Sequence, residues 1–581
     1  MNGIYTERVT EPNFVLRRQL LLGVLLLGML ALLCRAVFLQ IIDKEFLQNQ
    51  GDIRYVGIVT VPAYRGKILD RNNEPLAISS PVTSVWVNPQ HFKRNKQGIL
   101  DKGVLKKLEQ IAQFLKLSKH KFKHLIKAEN SKQFIYLKRR INPQLANKIS
   151  VLQVPGVYFE REFKRYYPAG SVSAHVVGFT DIDDVGQEGM ERGYEQSLKG
   201  IPGKKRVIRD GKRQVINYKD LENIKNPVSG QDLVLSIDQR LQYLAHRELQ
   251  KTFLKHKALS ASLVILDAKN GEILAVANQP AFNPNTRKGL TGRVYRNRAF
   301  LDVFEPGSTV KPFVMAAALD GGYVNDATKI KTHGFYKIGR NLVKDVHNYG
   351  TLDLMHILKK SSNVAISKIA LKMPPEYFWE TYHNLGFGVT AHAGFPGEAS
   401  GELLDFQQWN DFEQATLSYG YGVSTSVLQL ARAYTALADD GVLHSVSILK
   451  RDIDYDEKQV FSSKTAIKVR EMLEHVIKKD GTAYQARVNG YRIAGKTGTV
   501  KKAIAGGYAD DRYLAVFVGL APASNPRFVI AVMVNEPNAG QYYGGQVAAP
   551  VFSKVMAGAL RIYGVAPDKE DTMPVLLSRA K

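Results

Sequence analysis

The chain has 581 residues, 45% of them hydrophobic and 9% aromatic, and a formal net charge of +26. That length exceeds a single hydrophobic core and predicts roughly two to four domains, and the apolar content excludes a disordered chain. One cysteine, Cys34, excludes an intrachain disulfide and a thiolate metal cluster; the thirteen histidines fall at no ligand spacing, so no metal is expected.

Arg17 and Arg18 precede an unbroken apolar run, Leu20–Leu33, which Ala36–Leu39 continue past Arg35. Twenty residues make about 30 Å of helix, enough to cross a bilayer. The expectation is one transmembrane helix over residues 20–40, with residues 1–19 in the cytoplasm and the rest outside, because the cationic flank stays inside. The run is long for a cleaved signal and no small-x-small site follows it, so an uncleaved anchor is expected. Leu33 stands where a lipoprotein cysteine would need a small residue.

Residues 41–55 read as a helical continuation, and Tyr55–Val61 alternates like a strand. A first region extends over 41–230, with Lys-rich helical stretches around 101–150 and a Gly/Tyr-rich part at 165–203. From Lys93 to Lys148 sixteen Lys/Arg face three acids, half of the net charge. With no aromatic-interleaved or nucleic-acid motif beside it, this segment reads as solvated helix faces, and no nucleic-acid partner is expected.

A second region spans 231–565. "DLVLSID" (232–238) reads as a strand and residues 239–257 as a helix. Residues 261–278 form two apolar runs joined at Lys269-Asn270-Gly271, a hairpin signal. A second hairpin is expected from 512–522 and 527–537, and a closing helix over 546–564. Strands at both ends with helices between predict an α+β domain, an antiparallel sheet flanked by helices. Residues 566–581 read as a loose tail.

The chemistry is concentrated in three short stretches. "EPGSTVKPF" puts Ser308 after a Pro-Gly break and at the start of a helix, where backbone N–H groups favour a developing negative charge. Lys311 lies three residues on, a helical neighbour able to reach the Ser308 hydroxyl. Ser-x-x-Lys occurs four times, at Ser118, Ser308, Ser447 and Ser578, so the motif alone decides nothing. Ser-x-Asn and Lys-Thr-Gly occur once each, at Ser361–Asn363 and Lys496–Gly498. A lysine base must be neutral: half neutrality at pH 7 means lowering its pKa by about 3.4, worth about 4.6 kcal/mol. Burial and the second cation, Lys496, would supply this for Lys311. Ser361 could relay a proton, and Asn363 could hold Lys311 and a substrate amide. Lys-Thr-Gly follows the strand-like Tyr491–Ala494, and Gly498 would let a substrate backbone approach as an added strand.

Order, spacing and uniqueness together resemble the active site of penicillin-binding proteins and serine β-lactamases. The resemblance implies acylation of Ser308 by a D-Ala-D-Ala peptide or a β-lactam, with the backbone N–H groups of Ser308 and Thr499 as oxyanion hole. It also implies that Thr497 and Thr499 bind the substrate carboxylate beside Lys496, and that no cofactor is needed.

"RGKILDRNNEPLA" (65–77) is similar to the first box of the class B penicillin-binding proteins, with Arg65, Gly66, Asp70 and Arg71 in place and Asn73 standing for a family glycine. This cluster is expected to lock the first region, a pedestal or dimerisation domain, against the second. Residues 165–181 and 186–200 match further non-catalytic boxes, and 418–441, with Tyr419 and Tyr421 on the cleft wall, look like the division-specific branch.

What the resemblance implies is a peptidoglycan D,D-transpeptidase of the inner membrane, periplasmic and septal. Its partners would be stem peptides (D-Ala-D-Ala donor, amine acceptor), β-lactams, an FtsW-like glycosyltransferase and other divisome membrane proteins. An elongation-specific transpeptidase and a membrane β-lactam sensor stand as alternatives. A class A β-lactamase would need an E-x-x-L-N motif after Ser361, and none is present.

Overall fold

A computed structural model describes residues 14–92, 100–127, 134–209, 215–217, 223–286, 292–451 and 457–569. Parts of the basic 93–148 segment, and the tail beyond 569, therefore lie outside the described residues.

The chain forms two compact units. The smaller comprises residues up to Ala63 together with Ile201–Val228. Its apolar helix, Val15–Val37, is longer than the twenty-residue run and passes through a wider turn at Phe38–Ile42 into a second helix, Lys44–Tyr55. None of the best membrane window of Val15–Ile42 is buried, and its mean hydropathy is 2.5. Strand Val56–Val61 then pairs antiparallel with Gly203–Arg209.

The larger unit holds Tyr64–Gly200 and the chain from Ser229 on. Its first part is built on the long strand Pro75–Val87, which pairs antiparallel with both Ile135–Ile141 and Val157–Tyr166. Helices Lys102–Leu115 and Pro143–Ser150 cover that sheet with a core of their own, including Val85, Leu108, Ile111, Leu137 and Ile149. The lysines described between 102 and 124 are exposed, and Lys107, Lys121 and Lys138 each donate to a backbone carbonyl.

The Arg65 cluster divides its work. Arg65 turns into the first part, where its guanidinium meets Glu191 and Glu195, both at 2.7 Å, and Arg165 reaches the other Glu191 oxygen, also at 2.7 Å. Asp70 and Arg71 bridge to the second part, from residue 229 on: Asp70 accepts from the backbone N–H of Gln239 at 3.2 Å, and Arg71 pairs with Glu272 at 3.0 Å. Gly66 passes so close to the chain after the first region that a Cβ there would lie 1.9 Å from the Gln231 carbonyl oxygen. Asn73 adopts φ +65°, the left-handed geometry its glycine-like position requires.

The second part opens with only two strand residues, Leu233–Val234; the rest of 232–238 is irregular chain leading to helix α1, Gln239–Lys255, which Asp238 caps. Next come strands β1 (Ser260–Asp267) and β2 (Ile273–Gln279), joined by the Asn-Gly turn. Helices α2 (Lys311–Asp320), α3 (Leu354–Lys360), α4 (Asn363–Ala370), α5 (Val427–Ala438) and α6 (Ser463–Glu474) follow. Strands β3 (Ala494–Ile504), β4 (Gly507–Ala521), β5 (Phe528–Asn535) and helix α7 (Ala549–Ile562) close the domain. The sheet is antiparallel in the order β2-β1-β5-β4-β3, which leaves β3 at an edge. Helices α1 and α7 pack on one face and α5 on the other, so β1 is buried along its whole length and its centre, Leu263–Leu266, is apolar without alternation. The tail is held at its start: Asp568 accepts from Arg492 N–H at 2.7 Å and from the Ser524 hydroxyl at 2.7 Å.

Candidate active site

Ser308 stands on a 3-10 turn, Gly307–Val310, that runs directly into α2. The turn is pressed between β3 and the Tyr-Gly loop: a Cβ on Gly307 (φ +57°) would lie 2.4 Å from Val500, and one on Gly420 would lie 2.2 Å from the Gly307 carbonyl oxygen. Pro312 sits in the first turn of α2, where the donor it lacks has no intrahelical partner in any case. Ser308 is half-buried, and its hydroxyl has no hydrogen-bond partner among the described residues.

Lys311 is fully buried. Spacing places it beside Ser308, but its amine is drawn to the Ser-x-Asn corner. It donates to the Ser361 carbonyl oxygen at 2.6 Å, to Asn363 Oδ1 at 2.7 Å and to Ser361 Oγ at 3.2 Å. Ser361 ends α3 in the left-handed conformation, φ +58°, and Ser362 caps α4, accepting from Ala365 N–H at 3.0 Å. The motif is thus the corner between two helices, and the reversal aims the Ser361 carbonyl and hydroxyl together at Lys311.

Lys-Thr-Gly lies inside β3, not after a strand, because β3 begins at Ala494. Lys496, also fully buried, donates to Ser361 Oγ at 2.9 Å and to the Thr497 carbonyl at 3.2 Å. The Ser361 hydroxyl therefore receives both lysines. Burial brings the Lys496 amine down to about 7. The Lys311 amine is held well below the ordinary lysine range, first by burial and then by the charge of Lys496, against an opposing pull from Asp345.

Thr497 Oγ1 shares a 2.8 Å hydrogen bond with Thr482 Oγ1, and Thr499 Oγ1 accepts from Gly544 N–H at 3.0 Å. Gly498 backs onto the Ser308 turn, with Pro306 O and Thr309 Cγ2 each 3.1 Å from where a Cβ would be. Tyr419 and Tyr421 stand edge to face with ring centres 5.8 Å apart, and the Tyr421 hydroxyl accepts from Lys501 N–H at 3.3 Å. Burial raises the Tyr419 phenol to about 12. The structure thus brings the Ser-x-Asn and Lys-Thr-Gly residues onto one buried pair of lysines, with Ser308 at the head of the helix that carries Lys311.

Two further residues escape sequence reasoning. Asp345 accepts from the Ser362 hydroxyl at 2.6 Å and from the backbone N–H groups of Asn363 and Val364 at 2.5 and 3.0 Å, pinning the corner. Thr482 reaches Thr497 from a loop that Lys359 anchors through Asp480 at 2.6 Å. Neither lies in a motif; the one local hint is that a helix start at Ser362 needs acceptors for its free N–H groups.

A serine at a helix head, two buried lysines converging on a second serine, and an exposed strand edge beside them define a serine acyltransferase of the penicillin-recognising type. Comparison with known proteins agrees. The model of the penicillin-binding protein transpeptidase domain matches residues 261–557, and that of the penicillin-binding protein dimerisation domain matches residues 60–235. The peptidoglycan D,D-transpeptidase FtsI of Escherichia coli K12 is 41% identical over 559 residues, 96% of this chain and 94% of that protein. A probable peptidoglycan D,D-transpeptidase, PenA, of Neisseria meningitidis serogroup B is 42% identical over 570 residues, 97% of this chain and 96% of that protein. Among solved structures, the transpeptidase domain of penicillin-binding protein 3 from Burkholderia pseudomallei superposes with a TM-score of 0.54 at 42% identity, covering 58% of this chain and 98% of that one. The chain belongs to the class B penicillin-binding proteins and is a transpeptidase.

Proposed function

We propose that the chain cross-links peptidoglycan at the division septum as a D,D-transpeptidase, anchored in the inner membrane by its N-terminal helix. The observation that carries the reading is the pair of buried lysines meeting on Ser361 beside the nucleophile turn. Ser308 Oγ attacks the carbonyl of the penultimate D-Ala of a donor stem peptide and gives its proton to neutral Lys311. For this, Lys311 must release one of its Ser361 or Asn363 contacts and turn toward Ser308 when substrate enters. The tetrahedral oxyanion lies between the N–H groups of Ser308 and Thr499. As the C–N bond breaks, the proton passes by way of Ser361 to the departing amine, and free D-Ala leaves. The amine of a second stem peptide then attacks the Ser308 ester, its proton returns along the same path, and Ser308 is regenerated with the cross-link formed. Thr497, Thr499 and Lys496 hold the donor carboxylate, and a β-lactam acylates the same serine. An FtsW-like glycosyltransferase and other divisome membrane proteins are the expected partners.

Incubating the full chain with benzylpenicillin, then digesting it for mass mapping, is expected to give an adduct on the peptide carrying Ser308 and none in Ser308→Ala. An adduct elsewhere, or none, sinks the catalytic assignment. Depletion in cells is expected to give filaments; rounding instead would refute the septal role and favour elongation.

A further inference from the structure

The Ser308 turn is strapped to the domain on both of its flanks. Before Ser308, Phe304 and Thr425 exchange backbone hydrogen bonds at 3.0 and 2.9 Å, and Gly307 N–H donates to the Gly420 carbonyl at 3.1 Å. After Ser308, the Tyr434 hydroxyl donates to the Thr309 carbonyl at 2.7 Å. Tyr434 lies on α5 and is fully buried, and its ring meets Phe313 of α2 edge to face with centres 5.1 Å apart. Burial holds its phenol well above the ordinary value, so the hydroxyl stays a donor.

This bond answers a gap that the sequence creates. In a 3-10 turn each carbonyl accepts from the N–H three residues on, and the Ser308 carbonyl receives Lys311 N–H in this way. The next bond of the pattern, to the Thr309 carbonyl, needs an N–H on residue 312, and Pro312 has none. As a first-turn residue of α2 Pro312 loses nothing, but it closes off the 3-10 pattern ahead of it. α-Helical winding starts at Lys311. The Thr309 carbonyl thus stands where the two windings meet, on a fully buried residue that leaves no room for water as its donor.

The choice of winding bears on the chemistry. Residues three apart eclipse in a 3-10 turn but stand about 60° apart around an α-helix. Ser308 and Lys311 are three apart. Without the Tyr434 hydroxyl, the Thr309 carbonyl would have to take the N–H of Phe313, four residues on, which draws Val310 into α-winding and turns Ser308 away from Lys311.

We propose that Tyr434 is a positioning residue: its hydroxyl supplies the donor that Pro312 lacks, keeps the turn in 3-10 winding and so keeps Ser308 in line with Lys311. Tyr434 touches neither substrate nor the reacting atoms; it acts through Thr309. The inference rests on Ser308 and Lys311 being nucleophile and base, and adds how their alignment is set.

The test follows acylation of the full chain in detergent by a chromogenic cephalosporin in stopped flow, which separates the dissociation constant of the first complex from the limiting acylation rate. Tyr434→Phe is expected to lower the limiting rate by about 10- to 100-fold and to leave the dissociation constant within about twofold. Tyr377→Phe controls for a simple loss of packing or stability: the Tyr377 hydroxyl donates to the Ala317 carbonyl, further along α2, at 3.0 Å. Its removal is expected to change neither constant. Adding Pro312→Ala to Tyr434→Phe restores an N–H at residue 312 and is expected to recover most of the lost rate. A wild-type rate in Tyr434→Phe, an equal loss in Tyr377→Phe, or a double variant no faster than Tyr434→Phe overturns the proposal. If Tyr434→Phe alone does not fold, the double variant carries the test, and a rate more than about tenfold below wild type overturns it. Failure of benzylpenicillin to acylate Ser308 in wild type would instead overturn the reading on which it rests.

Discussion

Replacing Lys496 by methionine separates the stability of this fold from its chemistry. The side chain is fully buried, and burial lowers its amine from 10.5 to about 7. The sign follows from the direction: a base whose folded pKa is depressed is charged in the unfolded chain and resists charging in the folded one. Folding therefore loses stability over the whole range below about 7, and recovers it as pH rises from there toward the unfolded value. With those two values the cost is about 5 kcal/mol at pH 6 and about 3 kcal/mol at pH 8. Methionine has a similar length and carries no charge, so Lys496→Met is expected to unfold at higher denaturant at pH 6. The net gain should be roughly 2–3 kcal/mol once the two hydrogen bonds of the amine are subtracted. Wild type should also gain roughly 1–2 kcal/mol on the variant's reference between pH 6 and pH 8. Acylation by benzylpenicillin should fall by about 10²-fold or more, because Ser361 loses one of its two amines and Lys311 loses the neighbour that helps keep it neutral. Chemical denaturation of the full chain in detergent at the two pH values, beside acylation rates on the same samples, measures both effects. A variant less stable than wild type at pH 6, or one with the same pH slope, would refute the description of Lys496 as a buried amine held near neutrality.

Asp345→Asn removes the charge that pins the Ser-x-Asn corner and that pulls the Lys311 pKa upward. Acylation by a chromogenic cephalosporin is expected to slow about tenfold from the loosened corner, while the acid limb of the rate profile, set by Lys311 losing its proton, moves to lower pH; an unchanged rate and profile would remove Asp345 from the site. Glu191→Gln leaves Arg65 and Arg165 buried with half of their shared partner, and should cost about 3 kcal/mol in unfolding. A loss under about 1 kcal/mol would mean that the cluster is hydrated.

Much of the fold is legible because local signals and tertiary structure agree. The Asn270-Gly271 turn, the apolar strands and the spacing of 239–257 each encode an element that the domain keeps. The hydrophobic period of 232–238 misleads: past Val234 the backbone bonds singly to separate segments (Leu235 N–H to Leu69 O, Ser236 N–H to Ile448 O, Asp238 N–H to Leu274 O), so only two residues pair as a strand. The lysine pair is legible because three motifs in fixed order leave few other geometries. Its fine geometry is not. That Lys311 prefers the Ser361 carbonyl to Ser308 depends on a left-handed residue closing α3, and no residue type at that position announces it. Asp345 and Thr482 reach the site from loops distant in sequence, through contacts that leave no periodicity or spacing to read.

The open edge of β3 is where such a sheet would ordinarily recruit another copy of itself, since a row of unpaired N–H and C=O groups accepts any extended chain. Here the row is interrupted, because the Tyr421 hydroxyl already takes the Lys501 N–H, two residues beyond Thr499. One ring on an adjacent loop thus serves as a lysine or proline serves on other sheet edges: a long strand that begins to pair at Thr497 and Thr499 meets an occupied donor at Lys501, and zipping onto a neighbour stops after the first few residues.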